Sequence, residues 1–248
     1  MPRKAQTESL ADQQPAPGGA AAVDRALSLL AAFRSGDSAL GLAELAARTR
    51  LYKSTVLRLL ASLEHAQLIQ RLDDGRYVLG IEVARLHAVY AASFSLDRLV
   101  LPVLRQLVAQ TRESAAYHVL QGHAPQLNRL CLYRVDSPQP IRDHVRAGEL
   151  LPADRGAGGR VLTAFGAQGL GPGLSAQDRQ LYAGIRERGY YAGIGDRAAD
   201  LAGISAPVFH ADGRLAAALT LTMPAHRYDE RHVKPVLEAA RRLSALLP

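Results

Sequence analysis

Two short helical patterns separated by only three residues are the feature that most restricts how this chain can fold. Apolar residues recur at helical spacing over Leu42–Thr49 and again over Lys53–His65, with Arg50-Leu51-Tyr52 between them. Helices joined by so short a connection pack against each other as a helix-turn-helix. A helical pattern over residues 22–34 supplies a third helix for the same core.

Polar side chains cluster at the start of the second of these helices. Lys53, Ser54 and Thr55 stand in its first turn, and Arg58 follows within one turn on the same exposed face. A helix fits the major groove of DNA, which is about 12 Å wide. Hydroxyls can donate to phosphates or bases, and an arginine can bond guanine through two hydrogen bonds. The alternative interpretation is an ordinary helix N-terminus that is capped and exposed to solvent, which would show the same residue types.

A β-hairpin is predicted directly after the helix-turn-helix. Two strand-like runs, residues 68–71 and 76–79, flank the turn sequence Asp73-Asp74-Gly75. Arg71 and Arg76 stand near its tip, where they can contact phosphate or the minor groove. The hairpin, or wing, strengthens the DNA-binding interpretation of the helices before it.

Residues 22–80 resemble the winged helix-turn-helix of the IclR family of bacterial transcription regulators. The resemblance lies in Val23-Asp24-Arg25-Ala26-Leu27, in Lys53-Ser54-Thr55-Val56 and in the run from Asp74 to Gly80, and it continues more weakly almost to the C-terminus. One departure is Arg50, where the family usually has glycine. If that position requires a positive φ, arginine there is mildly strained.

The rest of the chain alternates helical and strand patterns. A helix over residues 81–92 connects the two parts, and strands flanked by helices, with a long antiparallel hairpin, predict an α+β fold. The resemblance implies a GAF-like effector-binding domain here. The predicted helices are residues 97–111, 159–165, 176–189 and 230–247, and the strands are residues 115–120, 127–135, 141–146, 203–209 and 215–223. The predicted domains are a disordered tail (1–20), a winged helix-turn-helix DNA-binding domain (21–80), a linker helix (81–94) and a GAF-like effector-binding and oligomerisation domain (95–248).

A glycine-rich segment, Gly156-Ala157-Gly158-Gly159, opens one of the predicted helices and leaves backbone N–H groups available to an anion. It is no dinucleotide fingerprint, because Val161 replaces the last glycine and no strand precedes it. A flexible surface loop remains the alternative interpretation.

The resemblance implies that this loop helps enclose a small effector. Ala157 and Gly158 match the family's loop, and Thr220 and Thr222 match two hydroxyl-bearing positions on one face of a strand. Alternating threonines are also typical of a strand face that is exposed to solvent. Gly193 and Gly203 stand where members that bind small keto acids have an acid and a cysteine. We therefore expect a roomier, less polar pocket for a larger carboxylate, aromatic acids included.

Composition restricts the function classes only mildly. The formal net charge of +7 favours an anionic partner. Cys131 is the only cysteine, which excludes an intrachain disulfide and a cysteine-based zinc site. Every apolar run is shorter than the roughly 18 residues of a membrane span. We expect a cytoplasmic protein with no membrane association.

The sequence contains no Gly-x-Ser-x-Gly elbow, no phosphate-binding Gly-x-x-x-x-Gly-Lys loop and no His-Glu-x-x-His pair. We predict no catalytic residues, no cofactor and no metal. The expected function is a ligand-responsive transcriptional regulator, acting as a repressor of a catabolic operon. Its expected partners are a palindromic double-stranded DNA operator, a small carboxylate effector and further copies of the chain in a homodimer or homotetramer. The alternative is a GAF-domain enzyme with an accessory N-terminal docking module.

Overall fold

The computed structural model describes residues 8–93, 96–122, 127–166 and 174–248. The chain divides into two compact units, one ending at residue 94 and the other beginning at residue 95. Each unit has its own buried apolar core. Among the helices of the described segments, none has both the length and the hydrophobicity to cross a bilayer.

The first unit is a three-helix core with an attached hairpin. Leu29, Leu45, Val56, Leu60 and Ile69 are almost completely buried at its centre, where they join the helices to the first strand of the hairpin. The two strands pair antiparallel. The elements are α1 (Leu10–Gln13), α2 (Ala21–Ala31), α3 (Leu42–Thr49), α4 (Lys53–His65), β1 (Ile69–Arg71), β2 (Tyr77–Leu79) and α5 (Ile81–Ser93). The helices α3 and α4 begin and end where their apolar spacing predicts.

The segment before α2 is partly ordered, so the prediction of a disordered tail over residues 1–20 is wrong for residues 9–14. Ser9 caps α1 by accepting a hydrogen bond from the Asp12 backbone N–H. The Asp12 carboxylate also pairs with Arg25 of α2 at 2.8 Å. The sequence pattern missed this turn because polar contacts, rather than an apolar stripe, hold it.

The turn between α3 and α4 adopts the conformation that the family's usual glycine favours. Arg50 has φ 57° and ψ 25°, in the left-handed region. An L-residue other than glycine is strained there, because its Cβ approaches the backbone. The expected strain at Arg50 is therefore present in the structure.

We expect Arg50→Gly to raise the free energy of local opening of α3 and α4 by roughly 0.5–1 kcal/mol. Relief of the left-handed strain slightly exceeds the entropy that glycine adds to the unfolded chain. Hydrogen exchange of peptides from these two helices, measured on the full chain, should slow in this variant. Arg50→Ala keeps the strain and serves as the control; faster or unchanged exchange in the glycine variant would contradict the prediction.

The second unit is a six-stranded antiparallel sheet with helices on both faces. The strand order is β5-β4-β3-β8-β7-β6. The helices are α6 (Leu96–Thr111), α7 (Ala157–Phe165), α8 (Ala176–Arg188) and α9 (Val233–Leu246), and the strands are β3 (Ser114–Gln121), β4 (Asn128–Val135), β5 (Leu150–Pro152), β6 (Tyr191–Ile194), β7 (Leu201–Phe209) and β8 (Leu215–Pro224).

Successive side chains along β8 point to opposite faces of the sheet. Leu219 and Leu221 point into the main core with α6 and α9. Ala218 points the other way, into a smaller cluster with α7 and α8. Thr220 shares this second face with Ala218. The alternation along β8 therefore places Thr220 beside the start of α7.

Three sequence assignments in this unit need correction. Residues 141–146 form no strand, since the Asp143 carboxylate pairs with Arg134 and the Ile141 carbonyl accepts from Arg227. The strands β5 and β6 were not predicted, because they are only three and four residues long and β6 contains Gly193.

Candidate functional site

The exposed face of α4 carries most of the residues predicted to meet DNA. Lys53, Ser54 and Arg58 are exposed, and Thr55 is half-buried. The apolar side of the helix packs into the core of the first unit. Sequence reasoning missed Tyr52 and Leu57, which are about half exposed on or beside this surface.

The two wing arginines differ in their surroundings. Arg76 pairs with Asp74 of the same turn at 2.7 Å, so its charge is already matched. The Arg71 guanidinium lies 6.0 Å from the centroid of the Tyr77 ring and forms no ion pair with a described carboxylate. Arg71 is therefore better placed than Arg76 to contact a phosphate.

Five of the six predicted effector residues line one cavity in the second unit. The cavity has a volume of about 30 Å³, room for only a few water-sized groups. The five are Ala157, Gly193, Gly203, Thr220 and Thr222, and the remaining wall includes Arg129, Gly156, Asp196, Arg197, Leu201 and Ala202. The sixth, Gly158, does not line the cavity and lies against Thr220 and Arg129.

The glycines at the start of α7 allow close approach of an arginine. A Cβ on Gly158 would lie 2.7 Å from Thr220 Oγ1 and 2.8 Å from Arg129 Nη1. A Cβ on Gly156 would lie 2.9 Å from Arg129 Nη2, and Gly156 also has φ +74°. Any side chain at these two positions would displace the guanidinium.

Arg129 is the most buried of the charged side chains that line the cavity. Its side chain is buried, its Nε has no hydrogen-bond partner, and it forms no ion pair within the described residues. The nearby carboxylates are engaged elsewhere: Asp143 with Arg134 and Arg197, and Asp196 with Arg160. Burial lowers the pKa of Arg129 to about 10, so it remains charged at neutral pH.

Sequence reasoning missed Arg129, although the strand pattern contained a signal. Arg129 and Cys131 alternate along β4 and therefore share a face. Cys131 is fully buried, so an arginine on the same face is also turned inward. A charged residue at an inward position of a strand is uncommon unless it is paired or functional.

His118 is a second buried polar group without partners. Neither ring nitrogen forms a hydrogen bond with a described residue, and the side chain is 2% exposed. Its Nδ1 lies 3.2 Å from the position that a Cβ on Gly158 would occupy. Burial, and secondarily the charge of Arg129, hold the pKa of His118 well below 6.5.

The expectation of a roomier, less polar pocket is wrong for this conformation. The walls contain two arginines and an aspartate. The space left by Gly193 is covered by Tyr191, whose hydroxyl lies 2.7 Å from the position of a Cβ there. The space left by Gly203 is closed by Ala157, whose Cβ lies 3.0 Å from the equivalent position.

Clusters of three or more histidine, cysteine, aspartate or glutamate side chains that could hold a metal ion do not occur in the described segments.

Comparison with known proteins identifies the family. The IclR helix-turn-helix domain model matches residues 22–73, and the model of the bacterial transcriptional regulator IclR C-terminal domain matches residues 179–245. The glycerol operon regulatory protein of Streptomyces coelicolor is 27% identical over 237 residues, which cover 89% of this chain and 91% of that protein. The chain belongs to the IclR family.

Solved IclR structures show the same fold. A putative IclR transcriptional regulator from Silicibacter sp. TM1040 has a TM-score of 0.73 and 25% identity, and covers 92% of this chain and 98% of its own. An IclR homolog from Microbacterium hydrocarbonoxydans, complexed with 4-hydroxybenzoate, has a TM-score of 0.75 and 22% identity, over 90% and 98% of the two chains. The predicted fold class is confirmed, and the chain is a transcriptional regulator of the IclR type.

The buried, neutral His118 predicts a pH-dependent stability. Its folded pKa lies below the unfolded value of 6.5, so the unfolded chain binds a proton that the folded chain does not. Above about pH 6.5, the free energy of unfolding does not depend on the protonation of His118. Below that pH, the free energy of unfolding falls by up to about 1.4 kcal/mol per pH unit.

Denaturant unfolding at pH 7.5 and 5.5 checks this prediction. His118→Leu and His118→Gln should both lose less stability than wild type between the two pH values, since neither side chain titrates. The pair of variants separates titration from packing and polarity. If the free energy of unfolding of both variants falls as much as that of wild type between the two pH values, His118 does not cause the pH dependence.

Proposed function

We propose that this regulator binds operator DNA through α4 and the wing, and that a small organic carboxylate bound at Arg129 changes its affinity for that DNA. The regulated genes are proposed to form a catabolic operon that the chain represses. The observation that carries the proposal is the unpaired, buried guanidinium at the start of α7.

The electrostatics of this region favour an anion. The N-terminus of a helix carries a partial positive charge, and the backbone N–H groups of its first turn have no partner within the helix. Arg129 adds a full positive charge at the same place, where it contacts the space beside Gly156 and Gly158. A buried charge without a counter-ion is costly, so an anion that enters here is strongly stabilised.

A carboxylate fits this arrangement better than a point anion does. Guanidinium and carboxylate groups form two parallel hydrogen bonds in one plane. Thr222 and Ala157 lie on the cavity wall beside the Arg129 guanidinium. We propose that Gly193 and Gly203 border the rest of the effector molecule.

Arg129→Met is expected to abolish the response to carboxylates without destabilising the chain. Methionine fills similar volume and removes a buried charge that has no counter-ion. The melting temperature of the free variant should be equal to or higher than that of wild type. A panel of organic acids should no longer raise it or change DNA binding.

The matched control is Arg214→Met, because Arg214 is exposed and pairs only with Asp212. A wild-type acid response in Arg129→Met would reject the carboxylate site. By thermodynamic linkage, the acid that weakens operator binding must itself bind less tightly to the DNA complex, by the same factor.

Exposed apolar residues support self-association of the first unit. Leu86, Val89 and Tyr90 recur at helical spacing on α5, and each is about half exposed. Val23 and Leu27 of α2 are exposed to a similar degree. Large apolar side chains grouped in this way mark interaction surfaces. We propose a homodimer, alone or paired into a tetramer, that presents two α4 helices to a palindromic operator.

Arg58→Ala is expected to weaken specific operator binding by about 1–3 kcal/mol, because Arg58 is exposed on α4 and can contact a base. Gel shifts with the adjoining intergenic DNA, after footprinting defines the site, measure this loss. Arg241→Ala, an exposed arginine of α9, is the control.

Binding of wild type should weaken steeply with salt, as phosphate contacts require. Unchanged operator affinity in Arg58→Ala would remove this residue from base recognition. Turnover of a bound acid would instead favour the alternative of an enzyme with a docking module.

A further inference from the structure

A hydrogen-bond chain between β7 and β8 fixes the direction in which the Thr220 hydroxyl points. Ser205 and Thr220 are register partners, both buried, with their Oγ atoms 2.9 Å apart. Ser205 also donates to the Leu219 carbonyl oxygen at 3.0 Å. A hydroxyl has one hydrogen and a carbonyl only accepts. The Ser205 hydrogen is therefore used on Leu219, and Thr220 donates its own hydrogen to Ser205.

Thr220 consequently faces the effector site as an acceptor. Its Oγ1 and Arg129 Nη1 lie close together at the start of α7, 2.7 and 2.8 Å from the point that a Cβ on Gly158 would occupy, and both residues line the cavity. Arg129 can only donate, and Thr220 has only lone pairs to offer. A group that bonds to both must accept one hydrogen bond and donate another.

A hydroxyl group meets this requirement, whereas a ketone or a carboxylate oxygen does not. The ligand hydroxyl would accept from Arg129 Nη1 and donate to Thr220 Oγ1. A carbonyl oxygen in the same place would face the lone pairs of Thr220 with no hydrogen between them.

The guanidinium also fixes how far the hydroxyl lies from the carboxylate. Nη1 of Arg129 lies on the Thr220 side of the guanidinium, and Nη2 lies on the Gly156 side, where the carboxylate would accept from Nη2 and Nε. All three nitrogens share one carbon atom, so the hydroxyl on Nη1 and the carboxylate must be close neighbours. A hydroxyl on the carbon next to a carboxylate has this spacing.

We propose that the effector is a 2-hydroxy carboxylic acid and that Thr220, oriented by Ser205, selects it over the matching 2-keto acid. The proposal rests on the proposed function, in which Arg129 holds the carboxylate. Thr220 is a specificity-determining residue that contacts the ligand, and Ser205 is a positioning residue that acts through Thr220.

Titration calorimetry on the full chain tests this selection with two matched pairs: lactate against pyruvate, and mandelate against benzoylformate. In wild type, at least one hydroxy acid should bind about 10-fold or more tightly than its keto partner, because the keto acid leaves a buried acceptor unpaired. Thr220→Val should bring the ratio of the keto-acid and hydroxy-acid dissociation constants close to one. Thr220→Ser should restore the wild-type ratio.

Ser205→Ala provides the sharper test. It removes the acceptor for the Thr220 hydrogen, which then becomes available to a ligand carbonyl. The preference should shift toward the keto acid, an outcome that general damage to the site does not produce. Thr111→Val, a substitution of the same chemistry on α6, which packs on the other face of the sheet, should keep the wild-type ratio. Melting temperatures establish that each variant is folded.

Equal or tighter binding of the keto acids by wild type would overturn the proposal, as would an unchanged preference in both Thr220→Val and Ser205→Ala. If neither pair binds but another carboxylate does so in an Arg129-dependent way, the hydroxy-acid inference fails while the proposed function stands. If no carboxylate requires Arg129, the proposed function fails and this inference fails with it.

Discussion

The second unit is organised around one uncompensated positive charge at the start of a helix. Arg129 is buried against the N-terminal turn of α7, where the helix dipole adds to its charge rather than opposing it. Glycines at positions 156 and 158 are required because the guanidinium occupies the space that their side chains would fill. A buried arginine without an ion-pair partner among the described residues is costly to stability.

The carboxylates nearest to this charge are held away from it by other ion pairs. Asp196 accepts from the Gly156 N–H at 2.6 Å and pairs with Arg160 at 2.8 Å, which fixes the loop after β6 to the start of α7. Asp143 is shared between Arg134 and Arg197. These pairs leave Arg129 without an ion-pair partner among the described residues, although Asp196 itself lines the cavity.

Sequence patterns predicted much of the fold because local chemistry decides it. The apolar spacing of α3 and α4 defines both helices to the residue, and the Asp73-Asp74-Gly75 turn fits only a tight hairpin. The patterns failed where long-range polar contacts decide the conformation, as at Asp143, whose ion pair replaces a predicted strand. They also failed at α1, which Asp12 and Arg25 hold in place.

The sequence by itself determined the helix-turn-helix, the wing, the exposed residues of α4 and the glycine-rich start of α7, since each depends on neighbours within a few positions. Only the tertiary structure decided that Arg129 forms no ion pair among the described residues and that the Ser205 hydrogen is used on Leu219, leaving Thr220 as an acceptor. These facts depend on which atoms from distant segments meet in one buried volume. The spacing of residues along the chain does not determine which of these atoms meet.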